Sequence, residues 1–295
     1  MKNTFGSDLS LTIFGESHGW AIGAVLDGMA AGVPVDEAFV AACMDKRRAR
    51  GDGRSSTRTE ADAVQFLSGV VNGRTTGTAI ALMVENQNTR SADYAKTADL
   101  LRPGHADYTA YAKYHGFQDA RGGGHFSGRV TAALVAGGAV VLGALSRAGI
   151  DISTHIAACA GISDTRFALD NAAALAAQVE ALADKPEGFA VLDPAVEEPM
   201  KAAIRAAGAD GDSVGGLLET AILGLPAGIG EPYFDSVESK IAHLAFSIPA
   251  VKGIEFGTGF GFAGLRGSEA NDAFRMTPEG AMVTASNHNA GINGG

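Results

Sequence analysis

Three features of the 295-residue sequence predict a mixed fold of the α/β (α+β) class. Short β-prone runs alternate along the chain with longer segments of helical composition. Hydrophobic residues make up 46% of the chain, enough to bury a substantial core. The 40 glycines follow no regular period and are about twice the usual share of roughly 7%, which implies many tight turns and close backbone approaches. No Pro/Ser-rich linker and no short repeat divides the sequence, so residues 1–295 read as one domain.

Taken in order, Ser10 to Phe14 is a strand that leaves into the loop Gly15-Glu16-Ser17-His18-Gly19, and Ala21 to Leu26 resumes a strand. A helix opens at Val35-Asp36-Glu37 and closes at Lys46-Arg47-Arg48, with charges that complement the macrodipole at both ends. Residues 50–59 are a polar loop, 62–71 return to apolar structure, and Thr78 to Val84 is a further strand. Glu85 to Gly124 reads as one long polar loop, a length that is uncommon unless functional. The uncharged run from Arg129 to Arg147 falls short of the ~20 apolar residues a membrane span needs, so it is expected as a buried helix. Beyond it come a strand near Ile150 to Ala157, helices near Ala172 to Ala183 and Val196 to Ala207 with Gly208 as cap, a strand at Gly216 to Leu223, a helix at Val237 to Phe246, and a last strand near Gly253 to Phe256.

A net charge of −10 argues against nucleic acid or an anionic membrane as partner, so an anionic ligand needs a local basic pocket. Cys43 and Cys159 are too few for a disulfide framework, and no apolar stretch follows a basic start, which together fit a cytoplasmic protein.

Four constellations could carry chemistry. His18, between two glycines at a strand end, is placed either for proton transfer near neutrality or for a simple backbone tie. Lys46, Arg47, Arg48, Arg50, Arg54 and Arg58 invert the sign of an acidic protein locally, which suits a multiply anionic small molecule. Arg102-Pro103-Gly104-His105-Ala106-Asp107-Tyr108 is a turn that aims a histidine. Gly122-Gly123-Gly124-His125-Phe126-Ser127-Gly128-Arg129 leads into the apolar helix, where free N–H groups and the dipole favour phosphate. That run matches neither a Walker loop nor a Rossmann turn.

In this order the four motifs resemble the chorismate synthase family, and so do LSGVVNGRTTGTAIAL, GDSVGGLLE, LPAGIGEPYFDSVESKIAHLAFSIPAVKGIEFG, LRGSEAND and SNHNAGINGG. The likeness covers nearly the whole chain. It implies a β-α-β sandwich assembled as a homotetramer, and an anti 1,4-elimination of phosphate from 5-enolpyruvylshikimate 3-phosphate assisted by reduced FMN, with NADPH or an external flavin reductase as the source of electrons. By the same resemblance His18 is the acid for the departing phosphate and His105 protonates or electrostatically holds the flavin. Arg47, Arg48 and Arg129 take the substrate anions, with Arg47 also at a position linked to NADPH. His125, Phe126, Ser127, Pro249, Ala250 and Gly294 line the flavin.

The family pattern is altered at His125-Phe126, at Gly53 and at Pro249. The family continues past Gly295 into a lysine-containing flavin loop and an Arg-His-Asp segment, so a truncated flavin-binding or assembly protein is an alternative expectation. A hydrolase using His18, His105, His115 and His125 around a metal is a second, although no metal-ligand spacing supports it.

Overall fold

The computed structural model describes residues 2–49, 60–87, 100–169, 171–183 and 189–295. Arg50, Gly53, Arg54 and Arg58 lie outside them. The first half runs Thr4–Gly6 (β1), Ser10–Gly15 (β2), Ala21–Asp27 (β3), Glu37–Arg47 (α1), Gln65–Phe66 (β4), Val70–Val71 (β5), Arg74–Thr75 (β6), Ile80–Glu85 (β7), Asp107–Tyr114 (α2) and Thr131–Arg147 (α3). The second half runs Asp151–Cys159 (β8), Ile162–Ser163 (β9), Ala172–Ala183 (α4), Glu197–Ala209 (α5), Gly216–Leu223 (β10), Val237–Ala245 (α6), Gly267–Ala270 (α7), Phe274–Met276 (β11) and Met282–Thr284 (β12).

A five-stranded sheet has the order β1-β2-β3-β7-β4, with every pairing antiparallel. Its inner residues Ile22, Leu26, Ile80, Leu82 and Val84 meet Val40 and Met44 of α1 and the Ala132, Ala136, Ala139 and Val140 face of α3 in one core. Small residues let α3 lie low on this sheet. At Gly137 a Cβ would come 2.6 Å from the tip of the Leu11 side chain, so any larger residue would force Leu11 to move. By length and composition Gly128–Arg147 could cross a membrane. Here it packs on β2, β3, β7 and α1 as a core helix and touches β8.

A second sheet, β10-β8-β9, packs on α4 and carries separate small cores around Val191 and Met200 and around Phe167, Val179 and Leu182. At its centre the buried His155 ring lies 2.9 Å from Asp164 and 2.9 Å from Glu219, with its two nitrogens toward the two carboxylates. The mixture of helices with separate antiparallel sheets is an α+β fold.

Three expectations about elements change. The polar stretch after Glu85 holds α2, a helix with only Ala110 buried, no side-chain cap at its start, and His115 in the left-handed conformation at its end. So little apolar periodicity hides it from the sequence. Gly208 lies inside α5 and does not cap it; the chain turns at Asp210 and Gly211, where the positive φ of 72° falls. Residues 253–256 form no strand, because β-prone composition gives no ladder without a neighbouring edge.

Candidate active site

The GESHG loop leaves β2 and returns into β3, and two bonds stitch it to the glycine-run segment ahead of α3. The Ser17 N–H donates to the Gly124 carbonyl at 3.1 Å, and His125 Nδ1–H donates to the Gly15 carbonyl at 3.0 Å. The Gly19 N–H closes the loop on the Glu16 carbonyl at 3.1 Å. Gly122, Gly123 and Gly124 all have positive φ, at 59°, 86° and 54°. A Cβ at Gly122 would stand 2.2 Å from the His18 ring, and one at Gly123 would stand 3.0 Å from the His105 ring. The two histidines, 87 positions apart by their numbers, therefore lie against adjacent residues of one glycine run. Only glycine allows both the left-handed backbone and this approach.

His105 is held from behind. Its Nδ1 is 2.9 Å from Asp107 Oδ1, and the Arg102 fork donates to both oxygens of that carboxylate at 2.7 and 2.9 Å. Those hydrogen bonds from Arg102 keep the Asp107 carboxyl far below the usual carboxylate range. Hydrogen bonds from Arg121 likewise lower the Asp119 carboxyl, and the neighbouring His18 lowers it further.

The arginines gather on the other side of the loop, in ion pairs. Arg129, with 6% of its side chain exposed, donates from Nε to Asn86 at 3.0 Å, from Nη2 to the Glu85 carbonyl at 3.2 Å and to Glu60 at 2.8 Å, and from Nη1 to Asp62. Arg47 donates to the other Asp62 oxygen at 2.7 Å and keeps 23% of its side chain exposed. Burial lowers the Arg47 guanidinium from its ordinary value, against the opposing pull of Asp62. Asn86 completes the link by donating its amide to the Glu16 and Gly19 carbonyls at 3.0 and 2.9 Å, so the His18 loop and Arg129 are parts of one network. Any anion contact by Arg129 competes with Glu60 and Asp62. Arg48, half-buried at the end of α1, pairs with Asp45.

The remaining expected residues divide. The Ser127 hydroxyl accepts the Arg129 N–H at 3.2 Å and caps the turn that opens α3, while Phe126 is part-exposed beside Tyr114. Pro249 and Ala250 sit in the turn after α6, with Ala250 at φ 69°. Gly294 precedes Gly295, whose carbonyl accepts from Val237 at 3.4 Å at the start of α6. The bonds of that region run to α6 and to its own turns, so a flavin contact there rests on the resemblance. Asn86, Glu60, Asp62 and the carboxylate role of Asp107 were missed from the sequence. The acids at 60 and 62, directly after a basic loop, were the available signal for counter-charges.

Among the described residues no group of three or more His, Cys, Asp or Glu side chains is placed to hold a metal ion. A flavin fits better on donor chemistry. The histidines packed against the left-handed glycine run and the positive end of α3 complement the anionic charge of a reduced flavin or of phosphate.

The family model for chorismate synthase matches residues 9–295. The chain belongs to the chorismate synthase family. The chorismate synthase of Korarchaeum cryptofilum is 42% identical over 290 residues, covering 98% of this chain and 78% of that protein. That of Desulfovibrio desulfuricans is 43% identical over 297 residues, covering 99% and 79%. A crystal structure of chorismate synthase superposes with a TM-score of 0.78 at 29% identity, covering 97% of this chain and 80% of that one. Membership leaves the metal-hydrolase alternative unfavoured.

Proposed function

We propose that this chain is a chorismate synthase, a lyase that eliminates phosphate from 5-enolpyruvylshikimate 3-phosphate, with reduced FMN as cofactor. The observation that carries the reading is the approach of His18 and His105 to adjacent glycines at one helix entrance. Loss of phosphate and a ring hydrogen needs a proton for the leaving oxygen and cationic charge around it. His18 supplies the proton, and the positive end of α3 with Arg47 and Arg48 supplies the charge. Arg129 takes part by fixing the loop that carries His18 and, where it exchanges Glu60 or Asp62 for the substrate, as a direct anion contact. Reduced FMN, when bound, supplies the electron-rich partner that assists the elimination and is regenerated in each turnover. His105 protonates it or holds it electrostatically from the ring edge at the glycine run, and His125, Phe126, Ser127, Pro249, Ala250 and Gly294 line its site. NADPH at Arg47 or an external flavin reductase supplies the electrons. The 295 residues act as one domain in a cytoplasmic homotetramer, consistent with two free thiols.

Anaerobic phosphate release with chemically reduced FMN tests this. His18→Ala and His105→Ala are expected to slow turnover by roughly 10²-fold to 10⁴-fold with FMN affinity largely intact. Near-wild-type turnover in both removes the proton assignments. FMN binding without phosphate release in the unaltered chain replaces the reading with that of a flavin-binding or assembly protein. NADPH oxidation without added reductase distinguishes the two electron sources.

A further inference from the structure

The wall behind His105 makes a choice that the reaction reading leaves open. An imidazole that acts toward a ligand must present a defined nitrogen in a defined protonation form, and the group on the other nitrogen sets which one that is. His105 Nδ1 faces two neighbours of opposite character, Asp107 Oδ1 at 2.9 Å, which can only accept, and Arg102 Nη2 at 3.1 Å, which can only donate. That Arg102 nitrogen already donates to the same Asp107 oxygen at the shorter distance of 2.7 Å, and Arg102 Nε and its backbone N–H both donate to the second oxygen at 2.9 Å. A bare Nδ1 would point its lone pair at an ionised carboxylate. An Nδ1–H completes that carboxylate's shell. The other side of the ring, Cε1 and Nε2, lies against Gly123.

We propose that Asp107 is a positioning residue that holds His105 in the Nδ1–H form, so that Nε2 is the nitrogen presented at the glycine run. Arg102 acts one step further back by clamping both oxygens of Asp107, which stops the carboxylate from rotating away. The arrangement forms in the protein alone, before any cofactor or substrate binds. It rests on the reading of His105 given above only for its consequence in turnover. Asp107 also opens α2, so one short segment builds the clamp and the helix that anchors it.

The test separates the two. Histidine-selective ¹⁵N labelling with long-range proton correlation, on the chain without flavin or substrate at about pH 8.5, above the reference histidine range, reads the tautomer directly; His105→Gln identifies the signal. Wild type is expected to show Nδ1–H, and both Asp107→Ala and Asp107→Asn to move toward the Nε2–H form, the Asn variant because the Arg102 Nε–H and backbone N–H hold its amide oxygen and its NH₂ donates to a bare Nδ1. Unchanged signals from His155 and His243 report that the Ala variant is folded. Should it not fold, the wild-type and Asn spectra still decide. A wild-type His105 in the Nε2–H form, or an Ala variant with an unaltered pattern, overturns the proposal. Turnover of Asp107→Ala and of Asp107→Asn is expected to fall about 10-fold to 100-fold, as for lost orienting partners of other functional histidines, mainly in kcat. A switched tautomer with unchanged turnover leaves the positioning in place and removes the proton role of His105 instead.

Discussion

At Gly122 the backbone and a functional side chain compete for one volume. Alanine there meets the left-handed cost of about 1–2 kcal/mol and places its Cβ 2.2 Å from the His18 ring, so His18 must move. A displacement near 1 Å in a proton donor can cost about 10²-fold, which is the expected fall in turnover of Gly122→Ala. Gly128→Ala is the control, since a Cβ there meets nothing within 4 Å. Equal turnover in the two variants contradicts the placement of His18 as the acid. His18 and His105 were legible because each stands inside a compact motif of glycines and charged neighbours. Asn86 and Asp62 were not, because their work depends on where folding brings Glu16, Gly19, Arg47 and Arg129.

Between elements, two buried polar clusters do what apolar packing does elsewhere. Arg129 ties the segment at Glu60 and Asp62 to β7 and to the loop after β2. Arg129→Leu removes one partner of each of two buried carboxylates, Glu60 and Asp62. Removing one partner of a buried pair typically costs about 3–5 kcal/mol, so a loss of that size is expected in urea unfolding, and a loss under about 1 kcal/mol would show the network to be dispensable for stability. In the second sheet, burial pushes the Asp164 carboxyl up, but the N–H groups of Asp193, Leu192 and Thr165 together with His155 outweigh it and leave it lowered. A lowered carboxylate stabilises the fold above its unfolded value of about 3.9 and loses that contribution as pH falls through the folded value. Unfolding free energy should therefore drop below about pH 4, and Asp164→Asn should flatten that limb while lowering stability at neutral pH. An unchanged acid limb in the variant would assign it to other groups. The elements themselves were legible where composition and period agree, as in α1, α3, α4 and β10. They were not where a short helix such as α2 buries one alanine, or where a β-prone run such as 253–256 finds no partner edge.

Over the whole molecule, large aromatic residues stay exposed around a buried core. Trp20 at 77% and Phe117 at 92% stand out in the first half, and the C-terminal third leaves Tyr233 at 90%, Phe234 at 92%, Phe260 at 86% and Phe274 at 69% exposure. Isolated exposed apolar residues are ordinary, but this many large aromatics, joined by Phe246, Met276 and Met282, go beyond what a lone chain usually presents to water. A net charge of −10 disfavours an anionic surface as their partner, and copies of the chain are the partner that fits the proposed homotetramer. Light scattering after size exclusion should give the mass of four chains at micromolar concentration. Aromatic anchors in such contacts are worth about 2 kcal/mol or more, roughly 30-fold in association, so Phe234→Asp and Phe260→Asp should each shift the distribution to smaller species without altering the circular dichroism of the chain. Should the unaltered protein run as a monodisperse single chain across that range, the aromatics serve another partner and the tetramer is lost.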